Sequence, residues 1–169
     1  ERQSGLVLLL SGDVPLLRRH ALADLVEKHR ESQAAATVLS ALVERPYGYG
    51  RIVRVRGKIS RIVEERDASP AQRKIREINS GVYVFSLASL FEALRGLATG
   101  NAQGEYYLTD LISSYRHRRF GVEVVVVEDQ NEIRGINSRS ELAEASRIVR
   151  QKKNEELMAA GVTIEDPAT

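Results

Sequence analysis

The chain has 169 residues, 43% of them hydrophobic, and no apolar run long enough to cross a bilayer, so a globular molecule with one principal core is expected. Its 25 basic and 23 acidic residues leave a net charge of +2, too weak a field for nucleic acid. The basic clusters Arg116-His117-Arg118-Arg119 and Arg150-Gln151-Lys152-Lys153 lack interleaved aromatics. There is no cysteine for a disulfide framework and no charged-then-apolar leader at the amino end, so a cytoplasmic setting is expected, without a membrane partner.

Leu6-Val7-Leu8-Leu9-Leu10 reads as a buried strand, ended by Ser11-Gly12-Asp13-Val14-Pro15. An open α/β sheet binds its ligand beyond the carboxyl ends of its strands, which puts Asp13 at the mouth of a site, where a carboxylate can hold a divalent metal. Gly12 lets the backbone approach a ligand, and Pro15 turns the chain towards the next helix. A polar turn closing a core strand accounts for the same residues without a ligand. The spacing of Leu22, Leu25, Val26 and His29 predicts a helix over roughly Ala21 to Ser32, and Ala36–Val43 reads as a second buried strand. Past the loop Tyr47-Gly48-Tyr49-Gly50, Arg51–Val55 and Ile59–Val63 alternate apolar and polar residues across Arg56-Gly57-Lys58, the pattern of an antiparallel hairpin.

Ser69-Pro70-Ala71-Gln72 has the form of a helix start. Ile78–Phe85 is the next expected strand and Leu87–Leu97 the next helix, with Leu87, Leu90, Phe91 and Leu94 on one face. The polar and aromatic segment from Asn101 to Tyr107 reads as a pocket-lining loop before a helical pattern over Leu108–Tyr115. Val122–Val127 reads as a strand buried on both faces. Ser138-Arg139-Ser140-Glu141 opens a long charged helix to Ala160 that is too thinly apolar to be buried and is expected to project as an arm, capped by Gly161. Val162-Thr163-Ile164 is strand-like. The alternation of elements predicts an α/β fold with a largely parallel sheet.

Taken in order, Gly12-Asp13-Val14-Pro15-Leu16, Tyr47-Gly48-Tyr49-Gly50-Arg51-Ile52, Ile62-Val63-Glu64 with Asp67-Ala68, Glu77-Ile78-Asn79-Ser80-Gly81, Asn101 to Asp110, and Gly135-Ile136-Asn137 form a connected pattern. It resembles the uridylyltransferase domain of the bacterial bifunctional N-acetylglucosamine-1-phosphate uridylyltransferase and glucosamine-1-phosphate acetyltransferase. The resemblance implies a Rossmann-like nucleotidyltransferase sheet over residues 1–137, a linker arm helix over 138–160, and the start of a left-handed β-helix acetyltransferase domain over 161–169. It implies synthesis of UDP-N-acetylglucosamine and pyrophosphate from UTP and N-acetylglucosamine 1-phosphate, for cell-envelope precursors, in a homotrimer. Such transfer asks the protein to align a phosphate oxygen with the α-phosphorus and to neutralise the charge that gathers there.

Asp13 and Asn137 are the magnesium ligands and catalytic residues that the resemblance implies, since magnesium accepts few protein ligands. Ser11, Gly12 and Asp13 belong to the substrate loop, Gly50 makes a backbone contact, and Glu64 and Asn79 bond the sugar. Tyr107 and Thr109 border the acetyl group or serve as packing. Read without the resemblance, Asn137 is a turn residue before a capping box, Glu64 a solvated acid and Asn79 a satisfied core amide. The pattern departs from the family at Ser11, where a tyrosine is usual, at Arg134, where an acid is usual, and at Ser138 in place of an asparagine. The family's glycine-rich phosphate loop precedes the Gly12-Asp13 strand and is not in this sequence, so an N-terminally truncated domain without appreciable transferase activity of its own is expected. The alternatives are transfer to another sugar 1-phosphate, or a non-catalytic sugar-nucleotide-binding or oligomerisation module.

Overall fold

Successive residues of a strand face opposite sides of its sheet, and the central strands of this chain fill both sides. The computed structural model describes residues 5–168. Strands β1 (Leu6–Leu9), β2 (Ala36–Leu42), β3 (Arg51–Val55), β4 (Lys58–Val63), β5 (Glu77–Ser86) and β6 (Val122–Val127) form one sheet in the order β4-β3-β5-β2-β6, with β1 also on β5. Val38, Tyr83 and Phe85 face one side, against Leu90 and Ala93 of helix α2 (Leu87–Arg95) and Leu111, Ile112 and Tyr115 of helix α3 (Asp110–His117). Their neighbours Leu39, Val82 and Val84 face the other, against Ala21 and Leu25 of helix α1 (Arg19–Ser32). The result is a three-layer α/β architecture.

The sheet is mixed rather than largely parallel. β2 and β6 are the parallel pair, and β5 runs antiparallel to β1, β2 and β3. A parallel return needs a crossover long enough to span the sheet, and only a single 3-10 turn (Gln72–Lys74) lies between β4 and β5. The Ser69–Gln72 box does form, with Gln72 N–H donating to Ser69 Oγ and Ser69 N–H to Gln72 Oε1, but it starts this turn and no α-helix, because the chain is drawn at once into β5.

Two strands read as buried are edges. Leu6 and Leu8 of β1 are 38% and 40% exposed, and Val126 of β6 is 44% exposed. Among the described residues β1 pairs only with β5 and β6 only with β2, so each lacks cover on one side. β1 and β3 share the same edge of β5: Leu9 sits opposite Tyr83, and Arg51 opposite Ile78. The stretch between them bulges, because the step from Val38 to Ser40 on β2 matches Tyr83 to Asn79 on β5. β3 joins β5 beyond the end of β1 and level with the last residues of β2, since Arg51 and Ala41 both sit opposite Ile78.

His29 is 1% exposed. Its Nε2 lies 3.0 Å from Ser86 Oγ, which itself donates to the carbonyl of Ala34, and its Nδ1 lies 2.9 Å from Thr37 Oγ1. With the Ser86 proton committed, Nε2 donates, and in the neutral ring Nδ1 accepts from the Thr37 hydroxyl. Burial holds its pKa below the ordinary 6.5. The unfolded chain therefore takes up the extra proton first on acidification, so this contribution is complete above pH 6.5 and is lost as pH falls through the lower folded value. The melting temperature is expected to drop below that pH, and His29→Gln to flatten part of the drop. Superimposable pH profiles for the two proteins would reject this.

Helix α4 (Arg139–Ala159) is an exposed arm with Ala145 as its buried residue, tied back by Lys152 Nζ to Asp129 Oδ2 at 2.9 Å. Ser138 Oγ accepts from Glu141 N–H at its start. At its end Gly161 has φ +91°, with Gly161 N–H donating to Met158 and Val162 N–H to Leu157, a Schellman cap. Residues 162–168 form no strand, and Asn154 Nδ2 donates to the Pro167 carbonyl instead. No helix among the described residues is long and apolar enough to cross a membrane.

Candidate functional site

The loop after β1 carries Ser11, Gly12 and Asp13, and the short connection before α4 carries Gly135 and Asn137. A backbone hydrogen bond from Ile136 N–H to the Asp13 carbonyl, 2.9 Å, ties the two together. A methyl group at Gly135 would lie 3.2 Å from Asp13 Oδ2 and 3.7 Å from Asn137 Nδ2, so both side chains border the space that glycine leaves open. Ser11 Oγ donates to Asp13 Oδ1 at 2.6 Å and fixes the carboxylate from one side. Glu141 Oε2 accepts from Asn137 N–H at 2.7 Å, which binds Asn137 to the first turn of α4.

No group of three or more His, Cys, Asp or Glu among the described residues could hold a metal. One carboxylate and one amide, 124 positions apart in sequence, are instead the modest donor set of a hard cation that keeps waters or phosphates for its remaining ligands. A half-turn of the Asn137 amide exchanges Nδ2 for Oδ1, the atom a cation takes. The residues present therefore fit magnesium.

A second group lies along the same edge of β5. Asn79 N–H donates to the Gly50 carbonyl at 2.8 Å, and Asn79 Oδ1 accepts from Gly81 N–H at 3.2 Å. A methyl group at Gly50 would stand 3.0 Å from Ile62 Cγ2 and 3.3 Å from both Glu64 carboxylate oxygens, so glycine is what lets the loop close onto Glu64. Thr109 Oγ1 donates to Glu64 Oε1 at 3.0 Å. Burial pushes the Glu64 pKa up, and the nearby carboxylates of Asp67 and Asp110 add to this, against the Thr109 hydrogen bond and the charge of Arg51. Burial likewise raises the Tyr83 hydroxyl, with Asn79 bonding it and Glu64 nearby. Glu64 lines a cavity of about 320 Å³ together with Val63, Asp67, Asn101, Tyr107 and Asp110.

The bulge joins the two groups. Gly81 has φ +77°, and a methyl there would lie 3.4 Å from Ser11 Oγ. The structure thus brings Ser11, Asp13 and Asn137 together, brings Gly50, Glu64 and Asn79 together, and links them through Gly81. Gly12 stands open, with nothing within 4 Å of where its side chain would be. Gly81 and Gly135 are not singled out as site residues by the sequence, although each lies in a string that carries the resemblance; Thr109, which the sequence offers as bordering the acetyl group or as packing, holds Glu64. The part of the two glycines rests on close approach, which local pattern does not display.

The family model for nucleotidyl transferase matches residues 1–134. The chain is 51% identical over 164 residues to the bifunctional protein GlmU of Syntrophotalea carbinolica, covering 97% of this chain and 35% of that protein. It is 48% identical over 167 residues to the bifunctional protein GlmU of Pelotomaculum thermopropionicum, covering 98% and 36%. It therefore spans about a third of the length of these curated relatives. Among solved structures, one assigned as a glucose-1-phosphate thymidylyltransferase from Bacillus anthracis, in complex with a sucrose, superimposes with a TM-score of 0.53 at 19% identity, over 86% of this chain and 52% of that one. At that identity the likeness is one of fold alone. With four-fifths of its residues inside the family model and its open loops gathered at one sheet edge, the chain belongs to the nucleotidyl transferase family.

Proposed function

We propose that this chain carries the metal and sugar sites of a uridylyltransferase that makes UDP-N-acetylglucosamine and pyrophosphate from UTP and N-acetylglucosamine 1-phosphate. The observation that carries the reading is the convergence of Asp13 and Asn137 on the space left by Gly135. Asp13 and Asn137 would hold magnesium, which would supply positive charge against the charge gathering on the α-phosphate. Ser11 holds the Asp13 carboxylate in place. Glu64, an acceptor whose other face is already bonded by Thr109, and Asn79, fixed through Gly50 and Gly81, present hydrogen-bonding groups to sugar hydroxyls and the acetamido group. No covalent catalyst is needed, because alignment and electrostatics account for this reaction class.

In the same reading residues 1–137 belong to the uridylyltransferase domain, 138–160 form a linker arm, and 161–169 open the β-helix acetyltransferase domain of a cytoplasmic homotrimer. Calorimetry of the 169-residue chain tests the sugar assignment. The chain is expected to bind UDP-N-acetylglucosamine in magnesium, and Asn79→Ala to weaken binding by about tenfold or more, the weight of a buried hydrogen-bonding group left unmatched. Equal affinity of the two proteins would exclude the assignment of Asn79.

A further inference from the structure

Arg51 follows Gly50 into β3 and is 1% exposed, the largest side chain to be wholly buried. A guanidinium is costly to bury unless its charge is matched and its donors are used. Nη1 donates to the Tyr49 carbonyl, and Nη2 to Glu65 Oε2 at 2.5 Å. The same Glu65 oxygen accepts from Gly48 N–H at 3.2 Å, while Glu65 Oε1 lies 3.8 Å from Arg73 Nε. Nε is buried and has no partner among the described residues. One side chain therefore clamps two carbonyl and amide groups of the Tyr47–Gly50 loop, directly and through Glu65, to the end of β4.

The clamp runs beside the sugar pocket, one residue along on both of its walls. Gly50 immediately precedes Arg51, and Glu64 immediately precedes Glu65. The Gly50 backbone and the Glu64 carboxylate stand so close that a methyl group at Gly50 would lie 3.3 Å from its oxygens, a tight contact, so a small displacement of either wall changes what fits. Nothing in the binding chemistry requires a charge at position 51, and an apolar residue would fill a core position more cheaply.

We propose that Arg51 is a positioning residue whose ion pair with Glu65 sets the separation of Gly50 from Glu64 and thereby the selectivity of the pocket for its sugar. The inference rests on the reading of that pocket as the N-acetylglucosamine 1-phosphate site. The Arg51 charge also opposes the rise in the Glu64 pKa that burial causes, as the smallest of the influences on it.

The test is calorimetric titration of the chain with N-acetylglucosamine 1-phosphate and with glucose 1-phosphate, beside urea unfolding of each variant. Arg51→Lys keeps the charge and loses the two-sided clamp. Glu65→Gln keeps the size of a side chain that is 20% exposed, and serves where Arg51→Lys does not fold. Each is expected to weaken N-acetylglucosamine 1-phosphate roughly tenfold and to narrow the preference over glucose 1-phosphate, with the double variant no worse than either single one. Lowered unfolding midpoints with unchanged affinity and preference in the folded protein would mean that the pair is structural, and the proposal falls. If the unsubstituted chain binds and Asn79→Ala does not, while both clamp variants bind as tightly as the unsubstituted chain, this proposal alone falls. If the unsubstituted chain does not bind the sugar phosphate, the pocket reading falls and takes this proposal with it.

Discussion

Asp13→Asn is expected to abolish the magnesium dependence of UDP-N-acetylglucosamine binding and to weaken that binding by about 100-fold, while the melting temperature stays put. The size follows from comparison: residues that merely orient a metal's ligands cost about 10–100-fold when removed, and Asp13 is the one carboxylate at the proposed metal position. The stability argument is separate. Asparagine has nearly the same shape, its Oδ1 can still accept from Ser11 Oγ, and the bond from Ile136 N–H goes to the Asp13 backbone carbonyl. Only the charge changes. Calorimetry with magnesium and then with a chelator checks the prediction: chelation should weaken the unsubstituted chain to the level of the variant and leave the variant unaltered. A variant that still responds to magnesium would remove Asp13 from the metal site.

The elements themselves were largely legible. The hairpin strands over Arg51–Val55 and Ile59–Val63, the Ser138–Glu141 start and the Gly161 stop all reappear where the pattern put them, because each is decided within a few residues by turn, cap or positive φ, although β3 does not keep the alternation, with Arg51 and Ile52 both buried and Arg54 and Val55 both exposed. What pattern did not carry was strand order. Leu6–Leu10 and Val122–Val127 are apolar enough for an interior, yet exposure depends on which strands flank them, and that is fixed by pairings from distant parts of the chain. The same holds for the site. Asp13 is legible from its place at the end of an apolar strand, though a polar turn accounts for it equally, whereas Asn137, Gly50, Glu64 and Asn79 are named from strings that resemble a family, and periodicity alone leaves them as turns, a solvated acid or a core amide. Arg51 could not be anticipated, since an arginine at the start of an alternating strand ordinarily points to solvent. Its burial follows from Glu65 and the Tyr49 carbonyl closing around it.

The bulge in β5 makes the other large prediction. Gly81 adopts φ +77°, a conformation that costs an L-residue about 1–2 kcal/mol and a β-branched one more. Gly81→Val should therefore lower the melting temperature by roughly 4–8 °C, at about 2–4 °C per kcal/mol for a chain of this size. Backbone strain is only part of the effect. A side chain at Gly81 meets Ser11 Oγ, which holds the Asp13 carboxylate, and a shift of the bulge breaks the bond from Gly81 N–H to Asn79 Oδ1. Both halves of the site should loosen together, and UDP-N-acetylglucosamine affinity should fall by about 100-fold, the product of two losses near tenfold each. Gly57 supplies the control. It has φ +78° in the β3–β4 turn with nothing within 4 Å, so Gly57→Val carries the same backbone strain without touching the site. Gly57→Val should lose stability and keep its affinity, while Gly81→Val loses both. If the two variants bind alike, the bulge does not join the metal and sugar groups, and they act as separate features of one sheet edge.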